Sequence, residues 1–189
     1  MKKILTTLIC LVFAFTACED EFSSSYSTKY RVRFYFEVNQ SAEMIGAIGN
    51  PGQYVTIRQK SGNSTTQKGV YIRIENLLGG NDYALSYIGA NEFELGLGGL
   101  IVGTSSTPNM NDGFDILAYD LACPNCDRID RRLTLKDNGL AKCAKCGLTY
   151  DLNNLGVIYK AEDTNKKDKV RGLYRYRIVY NGTSINVFN

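Results

Sequence analysis

Two C-x2-C pairs, Cys123 with Cys126 and Cys143 with Cys146, stand sixteen residues apart in the chain. A C-x2-C pair places two thiolates on one tight turn, and a second such turn across a hairpin brings four sulfurs to one point in tetrahedral geometry. No other stretch constrains the fold as much, because the chain must double back between Cys126 and Cys143. Asn138-Gly139 supplies a turn before the second pair, and Gly147, directly after Cys146, supplies permissive backbone that lets amides point at the sulfurs. Arg128, Arg131, Arg132, Lys136, Lys142 and Lys145 crowd the same stretch. Cations there are expected to offset the −2 charge of a zinc–tetrathiolate site and to lower the thiol pKa values.

Outside this segment the sequence reads as sheet. The chain has 189 residues, 44% of them hydrophobic, which is enough for one core whose stability need not rest on metal. Its 18 Gly, 13 Tyr and 8 Phe against 3 Pro suit pleated strands and tight turns, so the predicted fold class is all-β. Residues 30–38 alternate, with Tyr30, Val32, Phe34, Phe36 and Val38 on one face. Further strands are predicted at 54–57, 70–74, 83–88, 114–121, 148–152 and 156–159, with a turn at 78–82. A closing hairpin joins 173–180 to 184–188 through Asn181-Gly182, a pair that favours a type I′ turn. Residues 44–48 form only a short apolar patch, and no amphipathic helix is predicted. Gly96, Gly98, Gly99 and Gly103 do not complete a phosphate-loop motif and read as bends or close packing. The Asn63 and Asn181 sequons carry no functional weight, and the basic run at 166–169 reads as a solvated loop.

The chain contains no histidine. That removes the usual general base of Ser and Cys hydrolases, the HExxH metalloproteases and every imidazole ligand, which counts against hydrolytic enzymes. A binding or structural, non-enzymatic role is expected, with an electron carrier using a [2Fe–2S] cluster at the same four cysteines as the rival. The formal charge is +3, two units of which are Lys2 and Lys3. The rest is nearly neutral, and charge implies no nucleic-acid partner.

At the N-terminus, Met1-Lys2-Lys3 precedes an apolar run over 4–15 that is too short to span a bilayer, and small residues follow it before Cys18. This reads as an export signal at residues 1–17. Phe15-Thr16-Ala17-Cys18 resembles the lipobox of bacterial lipoproteins, with Phe in place of the usual Leu. The resemblance implies cleavage before Cys18, lipidation of its thiol and a membrane anchor. An ordinary signal peptide that leaves Cys18 as a spare thiol is the alternative. Glu19-Asp20-Glu21 opens an acidic, Ser-rich tether over 18–29; such runs resemble a surface-export signal in some Gram-negative lineages and equally suit a solvated linker. The expected location is the cell envelope, lipid-anchored at the outer membrane, on its periplasmic face or at the cell surface. Export also exposes the remaining cysteines to oxidising conditions, where disulfides or a vacant site compete with a metal. Thiol exchange at Cys123-Pro124-Asn125-Cys126 is less favoured, because no βαβ pattern surrounds it.

The run Ile116-Leu117-Ala118-Tyr119-Asp120-Leu121-Ala122-Cys123-Pro124, followed by Cys143-Ala144-Lys145-Cys146-Gly147-Leu148-Thr149-Tyr150-Asp151 and Gly156, resembles the two cluster loops of a Rieske iron–sulfur domain. The resemblance implies a β-sandwich over 30–189 carrying a smaller rubredoxin- or zinc-ribbon-like metal-binding subdomain at about 119–160. Rieske proteins use C-x-H and C-x2-H. Here Cys126 and Cys146 stand where histidine would, and the first loop has one more residue. Tyr159-Lys160-Ala161 occupies the place of the family's third shielding loop, Gly-Pro-Ala. Four thiolates at Cys123, Cys126, Cys143 and Cys146 suit a structural Zn²⁺, with a low-potential [2Fe–2S] cluster as the alternative.

Replacing Cys18 by Ala is expected to abolish partitioning of the protein into a detergent phase, as measured by phase separation of cell-envelope extracts. Unchanged partitioning would rule out a lipid anchor at this residue.

Overall fold

The computed structural model describes residues 26–60, 70–85, 93–161 and 170–189. Cys18 and the signal segment, most of the tether, the Asn63 sequon, the end of the predicted 83–88 strand and the basic run at 166–169 lie outside them. The alternating segment forms β1 (Val32–Glu37), with Val32, Phe34 and Phe36 inward and their neighbours exposed. β2 (Tyr54–Lys60), β3 (Val70–Asn76), β4 (Gly79–Leu85), β5 (Glu94–Leu95), β6 (Leu100–Pro108) and β7 (Phe114–Asp120) follow. A smaller group, β8 (Leu133–Lys136), β9 (Leu140–Cys143), β10 (Leu148–Asp151) and β11 (Val157–Ala161), precedes the closing pair β12 (Arg175–Tyr180) and β13 (Ser184–Phe188). The fold is all-β.

Among the described residues, nine strands form one antiparallel sheet in the order β4-β3-β2-β6-β7-β12-β13-β1-β5. β12 is where the sheet changes course: Arg175 and Tyr176 pair with β7, whereas Arg177 to Tyr180 pair with β13. The two halves then face each other across one core, built from Phe34, Phe36, Ile57, Ile74, Val102 and Val187 among others. Phe36 of β1 meets Tyr83 of β4 edge-to-face at 5.9 Å, although those strands stand near opposite ends of the hydrogen-bonded order.

The remaining strands form a four-stranded sheet, β11-β10-β9-β8, against the outer face of β6 and β7. Strand pleating sends alternate residues to opposite faces. Leu100, Val102 and Ala118 therefore enter the first core, while Ile101, Leu117, Tyr119 and Leu121 enter a second core with Leu133, Tyr150 and Leu152. Asn153 ties the layers together, its Oδ1 accepting from Ser106 N–H (2.9 Å) and Tyr54 O–H (3.1 Å) while its Nδ2 donates to Asn138 C=O (3.0 Å).

Three local expectations are corrected. Residues 42–49 are a helix, α1 (Ala42–Gly49), capped by Ser41 Oγ accepting from Met44 N–H and burying Met44 and Ala47. Two turns of helix interrupted by Gly46 are too short to display a 3.6-residue period. The β3–β4 turn falls on Leu77-Leu78, because Asn76 Oδ1 accepts from the N–H groups of Leu78 and Gly79 and so fixes the register there. At Asn181-Gly182 only Gly182 has positive φ (93°), whereas a type I′ turn needs two such residues. Asn181 Oδ1 closes that turn instead, accepting from Thr183 and Ser184 N–H.

The last residue of β7, Asp120, is wholly buried. Its carboxylate accepts from the N–H groups of Leu97 (2.7 Å), Gly98 (3.0 Å) and Ala122 (2.7 Å) and from Tyr176 O–H (2.8 Å). Burial pushes its pKa up, against the pull of these donors. The glycine-rich loop thus does aim backbone amides at an anion, but the anion is the protein's own. Gly98 must lack a side chain, because a Cβ there would lie 2.7 Å from Ala122 N.

Asp120→Ala strands the buried N–H groups of Gly98 and Ala122, the part-buried one of Leu97 and the Tyr176 hydroxyl, and is expected to destabilise the domain by about 3–5 kcal/mol. Asp120→Asn, which keeps one acceptor oxygen, is expected to cost about half as much. Urea denaturation followed by far-UV circular dichroism measures both, and equal midpoints for wild type and Asp120→Ala would contradict the assignment.

Candidate metal centre

β7 delivers the chain from Asp120 into the first cysteine turn. Cys123 N–H bonds to Arg131 C=O at 2.8 Å and Ala122 bridges to Arg132, so the turn leaves from and returns to one ladder. Within it, the N–H groups of Cys126 and Asp127 point back at Cys123 C=O (3.2 and 2.9 Å). The β8–β9 hairpin then places Cys143 opposite Leu133. The second turn repeats the first, with Gly147 N–H on Cys143 C=O at 3.0 Å. Each turn ends in a left-handed residue, Asp127 (φ 53°) in the first and Gly147 (φ 73°) in the second.

The two turns bring together all four predicted cysteines, whose sulfurs lie within 4.8 Å of one another. Cys123 Sγ is 3.6 Å from Cys146 Sγ, and Cys126 Sγ is 3.8 Å from Cys143 Sγ. All four are free thiols; Cys123 and Cys143 are buried, Cys126 and Cys146 half-buried. The donor set therefore fits a metal ion, with four soft ligands converging from two turns.

The electrostatics differ from the expectation that cations lower the thiol pKa values. Burial, then the neighbouring thiols, push Cys126 up to about 11, and burial pushes Cys146 up further. Burial also acts to raise Cys143, but the N–H groups of Cys146 and Lys145 bond to its sulfur and hold it below the ordinary thiol value. Leu148 N–H serves Cys146 in the same way, against the stronger effect of burial. The thiolate support in the second turn is thus backbone amide. Several of the cations are engaged elsewhere: Arg128 and Arg131 pair with Asp130 (2.9 and 3.5 Å), and Arg132 Nε donates to Gly98 C=O at 2.8 Å.

Three residues at the site were not singled out from the sequence. Tyr150 is buried with its O–H 3.4 Å from Cys123 Sγ, and Asn125 Nδ2 donates to that same oxygen at 2.9 Å. Asn125 also pairs with the backbone of Arg171 through both amide ends (2.9 and 3.0 Å). Asp127 accepts from Tyr30 and Tyr174 O–H (2.7 and 3.0 Å), and the Lys29 ammonium holds its carboxyl below the usual range. The one available signal was the alignment of the two turns, which sets Asp127 against Gly147. Tyr159, Lys160 and Ala161 are not a shielding loop: they belong to edge strand β11, paired to β10, and Tyr159 is exposed.

Compared with protein families, curated proteins and solved structures, the chain matches none.

Removing one ligand leaves a set of three that binds weakly, and the two turns lose their common anchor. Cys146→Ser is therefore expected to raise protease sensitivity between Cys123 and Tyr150 while the nine-stranded sheet persists. Peptide mapping of limited digests checks this. Equal cleavage in wild type and variant would show that nothing joins the two turns through Cys146.

Proposed function

We propose that the chain is an exported, lipid-anchored envelope protein with a Rieske-like domain, in which Cys123, Cys126, Cys143 and Cys146 hold one structural Zn²⁺. Its role is binding or structural and not enzymatic. The observation that carries the reading is the spacing of the sulfurs. A regular tetrahedron with Zn–S bonds of about 2.3 Å has edges of about 3.8 Å. Two approaches across the turns, 3.6 and 3.8 Å, are of that size, and all four sulfurs fall within 4.8 Å. A [2Fe–2S] core sets two irons side by side and needs its thiolates divided into two more widely separated pairs. The absence of histidine also removes the mixed ligation that gives Rieske clusters their high potential.

Kinship with Rieske domains is supported by the place of the metal sheet in the chain. β7 and β12 are hydrogen-bonded neighbours, and the whole of β8 to β11 is inserted between them. In this arrangement the protein's residues have distinct tasks. The N–H groups of Lys145 and Cys146 support Cys143 as thiolate, Tyr150 and Asn125 orient Cys123, and Leu133 and Leu148 lie in the apolar core behind the sulfurs. A bound zinc supplies a fixed fourfold crosslink and no redox chemistry.

Metal analysis with visible spectroscopy tests the reading. The purified mature protein is expected to carry one zinc per chain, to be colourless and to give no paramagnetic resonance signal after dithionite. A brown protein with iron and sulfide would replace zinc by a cluster, and metal-free protein with no titratable thiols would replace both by disulfides.

A further inference from the structure

The first cysteine turn ends in an aspartate where the second ends in glycine. Aspartate is among the few non-glycine residues that enter the left-handed region, where its polar side chain can be held by hydrogen bonds. The Asp127 carboxylate has three partners, the Lys29 ammonium at 2.5 Å, Tyr30 O–H at 2.7 Å and Tyr174 O–H at 3.0 Å. The ammonium in turn lies 5.2 Å from the ring centres of both Tyr30 and Tyr174, and these rings pack edge-to-face at 5.5 Å. The ammonium also donates to the Tyr174 hydroxyl oxygen at 3.0 Å, so Lys29 is held by two tyrosines and one carboxylate.

The segment that supplies Lys29 and Tyr30 is itself tied down. Ser27 N–H bonds to Arg175 C=O at 2.7 Å, and Asn189 Nδ2 donates to the carbonyls of Ser27 and Tyr30 at 3.0 and 2.6 Å. Tyr26 lies under the guanidinium groups of Arg175 and Arg177 at 4.7 and 5.6 Å. Residues 26–30 therefore form a strap laid from the closing strands to the first cysteine turn. Backbone amides serve both sulfurs of the second turn, and Cys126 in the first lies between Asn125, pinned to Arg171, and Asp127, pinned to the strap.

We propose that Lys29, Tyr30 and Asp127 are positioning residues of the metal centre, and that the strap preceding the domain sets how long the ion is retained by fixing the Cys126 ligand. This rests on the four-thiolate reading above. Partners behind a metal ligand commonly change affinity by 10–100-fold. An exposed Lys–Asp pair alone contributes little; here the pair is joined to two tyrosines and a ligand-bearing turn, and a ligand held in place is lost more slowly.

Co²⁺ is a suitable probe, because a tetrathiolate cobalt site shows sulfur-to-metal charge-transfer and visible bands. The full mature chain, loaded with Co²⁺ and challenged with excess EDTA, is compared with Lys29→Met, Asp127→Asn and their combination. Each single variant is expected to release Co²⁺ about 10-fold faster, the double variant no faster than the faster single one, and thermal unfolding of the sandwich is expected to stay unchanged. Asp127→Gly keeps the left-handed backbone and removes only the carboxylate, and is expected to release as fast as Asp127→Asn. Wild-type rates in Lys29→Met or in Asp127→Gly would overturn the proposal while leaving the site intact. If wild type develops no charge-transfer band, the four-thiolate reading falls first, and the strap's role with it.

Discussion

The buried carboxylate of Asp120 is the constraint on which the rest of the molecule depends. It gathers backbone from the loop before β6, from the residues leading into the first cysteine turn and, through Tyr176, from β12. A buried charge is tolerable only when its acceptor capacity is filled, and the surrounding chain is folded so as to fill it. The glycine-rich run 96–99 has its shape for this purpose. The same bonds set where β7 stops and therefore where Cys123 begins, so one side chain fixes both the crossing of the large sheet and the origin of the metal site.

Around that point the architecture is a matter of two faces. Where β6 and β7 are covered on both sides, Leu100–Val102 and Ile116–Tyr119 read as continuous apolar runs, because alternate residues have their own cores to enter. The cysteine-bearing sheet is supported from below by that second core and from the side by Asn153. Its sulfurs can converge without the bulk of the domain adjusting to them.

Much of this was legible in the residues. Alternation in β1, the turn signals and the tyrosine-rich composition are local properties, and local sterics decide them. The cysteine spacing was legible for the same reason, since two residues between ligands leave few backbone paths. Turn positions were not, because Asn76 and Asn181 act through side-chain amides whose targets depend on register. Nor were the roles of Asp127 and Asn125, whose partners lie 97 or 98 residues away for Tyr30 and Lys29 and 46 for Arg171. The cations beside the cysteines misled in the other direction: nearness in sequence suggested an effect on the sulfurs, whereas Asp130 and Gly98 C=O take up three of the arginines.

The insertion of β8 to β11 between two adjacent strands has a consequence for chain topology. Asp120 N–H and Tyr174 C=O, which bracket the insertion, are hydrogen-bonded at 2.9 Å. The parent sheet therefore experiences the entire cysteine-bearing segment as one loop closed at its base. The entropy of closing such a loop rises only with the logarithm of its length, so the sheet is largely indifferent to how much chain is looped out. An ion that joins Cys123 to Cys146 shortens the free part of that loop from within. Such a segment can gain, lose or exchange ligands while the strands that carry it keep their pairing, which is the physical condition for a metal site to vary independently of its host.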